Sequence, residues 1–261
     1  MLTKKVQELN QKLSGVAGIV IKDLWGNFSF DLNPDLVFPA ASVIKLCILW
    51  DLFKRASNGE LDLEQQITLR ENHKVGGFGI LKELHTGLQL TVEDLATLMI
   101  VLSDNVATNM LIDLLGFARI NSSIKEIGLK DTVLQRKMMD TQAAEQGLDN
   151  YTSPRDIAIL LENYIKSELI DSKNREKMLD ILMRQQCNNK LPALMPAGTK
   201  LAHKTGDLPG VEHDVGILDL PDQKICIIVL TRDLKDNQDG IKFNNQIGEL
   251  VYNHFGHSGT E

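Results

Sequence analysis

Hydrophobic positions divide the chain into stretches of different period. Leu2, Val6, Leu9 and Leu13 recur at helical spacing, which predicts a helix over residues 2–14. Residues 16–21 then form a short apolar run that ends near the turn signal Gly26-Asn27. Residues 28–32 alternate apolar and polar, and Asn33-Pro34 follows, so the two runs read as a β-hairpin. From Ser42 to about residue 56 the chain is predicted as one long apolar helix. Thr91-Val-Glu-Asp94 is a capping-box variant, with Asp in the usual Glu position, and opens a helix to about Leu102. A second helix is expected over 105–115, ended by Gly116. Pro154 suits the first turn of a helix to about Lys166, and 171–186 read as helical again. The pattern then reverts to strands over 200–205, 211–218 and 224–231, separated by Gly, Pro and Asp. An amphipathic helix over 239–254 completes it.

Strands thus occur at both ends and helices dominate the middle. The economical arrangement is an α+β fold: an antiparallel sheet built from both termini and flanked by helices, with an inserted all-helical domain. Residues 1–40 plus 195–261 are expected to form the sheet domain, and 41–194 the helical domain. A cleft between the two is where a site is expected.

Composition narrows the function classes. The 261 residues are 43% hydrophobic, enough for a large core. The net charge is −7, and the cations are interspersed with acids, as in Lys22-Asp23 and Arg232-Asp233. That argues against a nucleic-acid partner, which needs clustered Lys and Arg. No apolar run reaches a membrane span, and the start of the chain is polar rather than a signal-peptide core. Such a chain is periplasmic or secreted if a signal peptide has been removed, and cytoplasmic otherwise. Three cysteines and six histidines lack metal-ligand spacing, so neither a metal nor a cofactor is expected.

Three short motifs carry chemistry: Ser42-Val-Ile-Lys45, Ser103-Asp104-Asn105 and Lys204-Thr205-Gly206. Ser42 and Lys45 are three apart, so a helix puts both on one face. A serine hydroxyl becomes a useful nucleophile when a base takes its proton, and a lysine with a depressed pKa can be that base. Backbone N–H groups left free at a helix start can stabilise an oxyanion. Ser103 can relay a proton, and Asn105 can donate to an amide carbonyl. Lys204 and Thr205 can bind an anion, and Gly206 permits close approach of a substrate to a strand edge. Each motif also has an ordinary use: Ser42 as an N-cap, Lys45 as a snorkelling surface lysine, Ser-Asp-Asn as a helix cap, and Lys-Thr-Gly as a strand end.

The ordered trio resembles that of the penicillin-recognising serine enzymes, most closely the class A β-lactamases. The stretches Gly76-Gly-Phe-Gly79, His203-Lys-Thr-Gly206 and His213-Asp214 add to the likeness. The resemblance implies that Ser42 is acylated by a β-lactam carbonyl, with Lys45 as base or relay and Ser103 shuttling the proton to the β-lactam nitrogen. It implies that Asn105 holds the substrate amide, that Lys204 and Thr205 face the substrate carboxylate, and that the N–H groups of Ser42 and Asp207 form the oxyanion hole. The implied partner is a small β-lactam or a peptidoglycan-like peptide, and the implied state is a monomer. A hydrolase that confers antibiotic resistance is the leading reading. A D-alanyl peptidase or esterase on the same fold, and a penicillin-binding sensor that stays acylated, are the alternatives.

One element of the family pattern is missing. Class A enzymes carry a Glu-x-x-Leu-Asn segment whose glutamate activates the deacylating water. The corresponding stretch here runs from Arg136 to Pro154, and its carboxylates are Asp140, Glu145 and Asp149. Asp140 lies nearest the expected position, Glu145 has the right group further along, and Asp149 reads as a loop anchor. Cys47 does not fall at the family's cystine position, so no structural disulfide is expected there.

Overall fold

The computed structural model describes residues 2–256. The predicted hairpin is β1 (Val16–Asp23) and β2 (Ser29–Leu32), with Ile19 opposite Leu32 and Lys22 opposite Ser29. Two short ribbons follow: β3 (Phe38–Pro39) pairs with β6 (Tyr151–Thr152), and β4 (Gln66–Thr68) with β5 (Gln89–Thr91). The C-terminal strands are β7 (Leu201–Leu208), β8 (Val211–Leu220) and β9 (Gln223–Arg232). Together they form one five-stranded sheet in the order β2-β1-β9-β8-β7, antiparallel throughout. Strand β1 lies opposite β9 from Val16↔Arg232 to Asp23↔Ile225, so both ends of the chain share the sheet, as the sequence pattern predicts.

The helices are α1 (Leu2–Asn10), α2 (Lys45–Ser57), α3 (Val92–Val101), α4 (Asn105–Leu115), α5 (Phe117–Glu126), α6 (Thr141–Glu145), α7 (Pro154–Lys166), α8 (Ser172–Met183) and α9 (Asn237–Phe255). Side chains alternate across a strand, and β9 uses that alternation to feed two cores. Ile225, Ile227 and Val229 pack with Leu2 and Val6 of α1 and with Phe243, Ile247 and Val251 of α9. Cys226, Ile228 and Leu230 face the other way and join the larger core around α2. Helix α2 is buried from Lys45 to Phe53, which suits a helix apolar on nearly all sides. Trp50 stacks on Tyr164 of α7 with ring centroids 6.0 Å apart, and the Tyr164 hydroxyl donates to the Leu46 carbonyl.

The capping box forms as read. The Asp94 N–H donates to Thr91 Oγ1 at 3.0 Å, and the Thr91 N–H donates to Asp94 Oδ2 at 2.9 Å. The two short ribbons were not anticipated, and the helix expected from Ser42 begins as a 3₁₀ turn over Ala41–Ile44, with α2 starting at Lys45; three further features depart from the expected pattern. Helix α5 was not anticipated: Gly116, at φ +82°, ends α4 and also starts α5, whose buried residues are only Ile120, Ser123 and Ile124. Helix α6 has five residues, too few to show a period. Strand β7 continues past residue 205 to Leu208, because the turn is made by Pro209-Gly210.

Candidate active site

Ser42 sits in a 3₁₀ turn, Ala41–Ile44, that runs directly into α2 at Lys45. Ala41 holds φ +46°, a left-handed conformation that costs a non-glycine residue about 1–3 kcal/mol. Strand β7 presses against this turn. A Cβ on Gly206 would lie 3.2 Å from both Ala41 Cβ and Val43 Cγ2. The absence of a side chain at Gly206 thus admits the Ser42 turn against β7.

Lys45 is fully buried, which removes the snorkelling alternative. Its Nζ donates to the Ser103 carbonyl at 2.7 Å, to Ser103 Oγ at 3.0 Å and to Asn105 Oδ1 at 3.0 Å. Lys204 Nζ donates to the same Ser103 Oγ at 3.1 Å and to the Thr205 carbonyl at 2.8 Å. Two lysines thus flank one hydroxyl. Both lone pairs of Ser103 Oγ are engaged, which leaves its proton free to be given away. Ser103 itself sits at φ +54°, another left-handed non-glycine residue. Burial, then the Lys204 cation, push the Lys45 pKa well below the usual lysine range. Burial lowers the Lys204 pKa to about 8.

Asp104 organises the second motif. Its carboxylate caps α4 through Ala107 N at 2.9 Å and accepts from Ile80 N at 2.7 Å and Leu81 N at 2.9 Å. That ties the 76–81 loop to the motif, and Asn105 Nδ2 donates to the Gly76 carbonyl at 3.2 Å. In the third motif, Thr205 Oγ1 is buried and has no hydrogen-bond partner among the described residues.

The Asp207 N–H faces the free edge of the sheet. Its cross-strand partner is Glu212, whose N–H donates to Thr231 Oγ1 at 3.1 Å and whose carbonyl accepts from Thr231 Oγ1 at 2.6 Å. Glu212 therefore spends its backbone groups on β9. Asp207 and Glu212 are a non-hydrogen-bonded pair, and Asp207 directs its own N–H outward from β7.

Ser42, Asn105 and Asp207 line a cavity of about 320 Å³ together with Gly77, Phe78, Met138 and Met139, among others; Lys45, Ser103, Lys204 and Thr205 are not among its lining residues. Asp140 and Glu145 are not among its lining residues. The Asp140 carboxylate caps α6 by accepting from Ala143 N at 3.0 Å, and Glu145 is exposed. Asp149 does line the cavity, and anchors its loop as read: Oδ1 accepts from Arg136 Nε and from Asn150 N, both at 2.8 Å. From that loop Arg136, Met138, Met139, Thr141, Ala144 and Asn150 reach the cavity beside Asp149. Asn109, one turn beyond Asn105 on α4, holds the Met138 backbone in both directions, at 2.8 and 3.0 Å.

Lys190 carried no sequence signal, since it stands outside every motif. It is fully buried and donates to the carbonyls of Gly206 and His213, both at 3.1 Å. It also pairs with Asp207 at 2.8 Å and Glu212 at 2.6 Å. His213 is held neutral: burial lowers its pKa to about 4. Its Nδ1 accepts from Thr231 N at 3.0 Å, so Nε2 carries the hydrogen that goes to the Pro39 carbonyl at 2.8 Å. Among the described residues no group of three or more His, Cys, Asp and Glu is arranged to hold a metal ion, and His257 lies outside them. Cys47, Cys187 and Cys226 are free thiols.

Comparison with known proteins agrees with this geometry. The model of the "Beta-lactamase enzyme family" matches residues 1–255. The β-lactamase VEB-1 of Pseudomonas aeruginosa is 25% identical, over 97% of this chain and 90% of its own. The crystal structure of a β-lactamase from Sphaerobacter thermophilus superposes with a TM-score of 0.90 at 32% identity, covering 98% of this chain and 97% of that one. A variant of PBP-A, solved as an acyl-enzyme complex with penicillin G, superposes with a TM-score of 0.87 at 34% identity, covering 98% and 96%. The trio of motifs meets at the Ser103 hydroxyl, and the likeness spans nearly the whole chain, so the protein belongs to the β-lactamase enzyme family and is a serine β-lactamase.

Proposed function

We propose that Ser42 is the nucleophile of this β-lactamase and that Lys45, Ser103 and Lys204 move its proton. Neutral Lys45 takes the proton as Ser42 Oγ adds to the β-lactam carbonyl. The tetrahedral oxyanion is held by the N–H groups of Ser42 and Asp207. Lys45 then passes the proton through Ser103 Oγ to the β-lactam nitrogen as the ring C–N bond breaks. Asn105 Nδ2 orients the substrate amide, and Lys204 with Thr205 Oγ1 takes its carboxylate. One observation carries this reading: the Ser103 hydroxyl bridges two buried lysines, at 3.0 and 3.1 Å. Hydrolysis of a chromogenic cephalosporin tests it. Ser42→Ala is expected to lower kcat/KM by at least about 10³-fold, the scale of losing an activated nucleophile. Retention of wild-type turnover in that variant would reject the assignment.

The acting form is a monomer in this reading, with the sheet domain and the helical domain facing each other across the cavity. A peptidoglycan-like peptide ending in D-alanine is the second substrate class, because the Asp207 edge offers N–H and C=O groups to an extended peptide. Release of D-alanine from such a peptide is the test. No helix among the described residues is long and apolar enough to cross a membrane.

A further inference from the structure

Lys190 is a buried cation that the proton-transfer steps do not use. It stands just before a 3₁₀ turn, Leu191–Leu194, on the segment that leads into β7. Its side chain is fully buried and lies outside the lining of the Ser42 cavity. Burying an ammonium is costly unless its protons find acceptors. Here they go to the Gly206 and His213 carbonyls, both at 3.1 Å, and to Asp207 Oδ1 at 2.8 Å. Glu212 Oε2, at 2.6 Å, adds a second carboxylate.

The Gly206 carbonyl and the Asp207 N–H belong to one peptide group. That peptide is trans and planar, so its C=O and N–H point in opposite directions. Gly206 lies opposite His213, on the rung next to the non-hydrogen-bonded pair Asp207–Glu212, so its carbonyl points inward toward β8. The Asp207 N–H then points out from the β7 edge, and Asp207 lines the cavity together with Ser42. Lys190 thus stands at the negative end of a peptide dipole whose positive end faces outward. A cation on the carbonyl oxygen draws electron density away from the amide nitrogen, which makes the N–H a stronger donor. In a buried site that polarisation is little screened by water.

We propose that Lys190 is a positioning residue for the oxyanion: it fixes and polarises the Gly206–Asp207 peptide, and it offsets the Asp207 and Glu212 charges that would oppose a second anion. This deepens the proposed mechanism and rests on the Asp207 N–H being an oxyanion donor. Lys190 acts through that peptide, not by contact with substrate. The oxyanion develops only on the way to the tetrahedral intermediate, so the contribution belongs to kcat and not to KM.

The test compares wild type with Lys190→Met/Glu212→Gln, which keeps the net charge of the cluster and removes the donor to the Gly206 carbonyl. Two readouts are taken. One is steady-state hydrolysis of a chromogenic cephalosporin. The other is the infrared band of the Ser42 ester carbonyl, recorded on rapid mixing with a slowly processed penicillin that carries carbon-13 in its ring carbonyl. In wild type the band should lie below its position in the acid-denatured acyl-enzyme, the mark of strong donors on that oxygen. In the variant it should move back toward the denatured position. There kcat and kcat/KM should fall together by about tenfold, a fraction of the roughly 10²–10³-fold that loss of a whole oxyanion donor costs. Glu212→Gln alone leaves the three Lys190 hydrogen bonds in place and should keep the wild-type band. Thermal melts show whether each variant is folded. Should the double variant not fold, Lys190→Gln, which keeps a neutral donor and loses the charge, should move the band the same way by less.

The inference is overturned if a folded Lys190 variant acylates with the wild-type band, whatever its kcat, or if the loss falls on KM with kcat intact. A wild-type band at the denatured position would instead overturn the oxyanion reading of Asp207, and absence of any Ser42 adduct the nucleophile assignment. The failures are therefore distinguishable.

Discussion

At the scale of single residues, the site works by burying cations that have few counter-charges. Lys45 and Lys204 are both fully buried and share one hydroxyl, and the Lys204 cation disfavours the charge of Lys45. This gives the two lysines different duties. In the proposed mechanism Lys45, held well below the usual lysine range, is the neutral base, whereas Lys204, lowered to about 8, is mostly charged at neutral pH and takes the anion. The sign of the pH dependence follows. Lys204 loses its charge as pH rises through about 8, so KM for a carboxylate-bearing β-lactam should climb above that pH, by at most about tenfold per unit. Steady-state KM between pH 6.5 and 9.5 checks this, and a KM that stays level to the top of that range contradicts it. At this scale the sequence was legible where chemistry needs a particular side chain at a particular spacing, as with Ser42 and Lys45. It was silent on Lys190, because a lone lysine outside a motif reads as a surface charge until the fold buries it.

At the scale of elements, the site depends on how the β7 edge is held against the Ser42 turn. His213 is a clasp between strands: neutral imidazole accepts from Thr231 N of β9 and donates to the Pro39 carbonyl of β3. Its folded pKa, about 4, lies below the 6.5 of an unhindered histidine. The unfolded chain therefore takes up a proton first as pH falls. Stability carried by His213 is complete above about 6.5, declines toward about 4 and levels below it, a total of order 3 kcal/mol. Denaturant melts between pH 7 and 4 should show that loss, and His213→Gln should flatten much of it. An unchanged slope in the variant would contradict the assignment. Most elements could be read in advance because each kept its period, from the 226–230 alternation of β9 to the Thr91–Asp94 capping box. Helices α5 and α6 could not, since α5 buries one narrow face and α6 is a single turn placed by loop packing.

At the scale of the whole molecule, strands from both halves of the chain build one sheet, and the segment between them carries Ser42. The β7 edge of that sheet faces the cavity, and α1 and α9 cover one face. Among the described residues the exposed large apolar side chains are spread along the chain from Trp25 to Leu194. Phe78 and Met139 line the cavity, and Trp25 is covered in part by the Lys166 ammonium, 5.1 Å from its ring. Sedimentation should accordingly give one species with the mass of a single chain, and a stable dimer would contradict the monomer. The topology was legible because strand patterns at both termini have few ways to pair. The reach of the 136–150 loop was not, because its course is fixed by contacts distant in sequence, such as Asn109 to the Met138 backbone. The most direct test of the central claim is to treat the protein with a penicillin, quench within seconds, digest it and map the adduct by mass spectrometry. The predicted result is a single penicilloyl group on the peptide containing Ser42, absent from Ser42→Ala. An adduct on any other residue, or hydrolysis by Ser42→Ala at the wild-type rate, would contradict it.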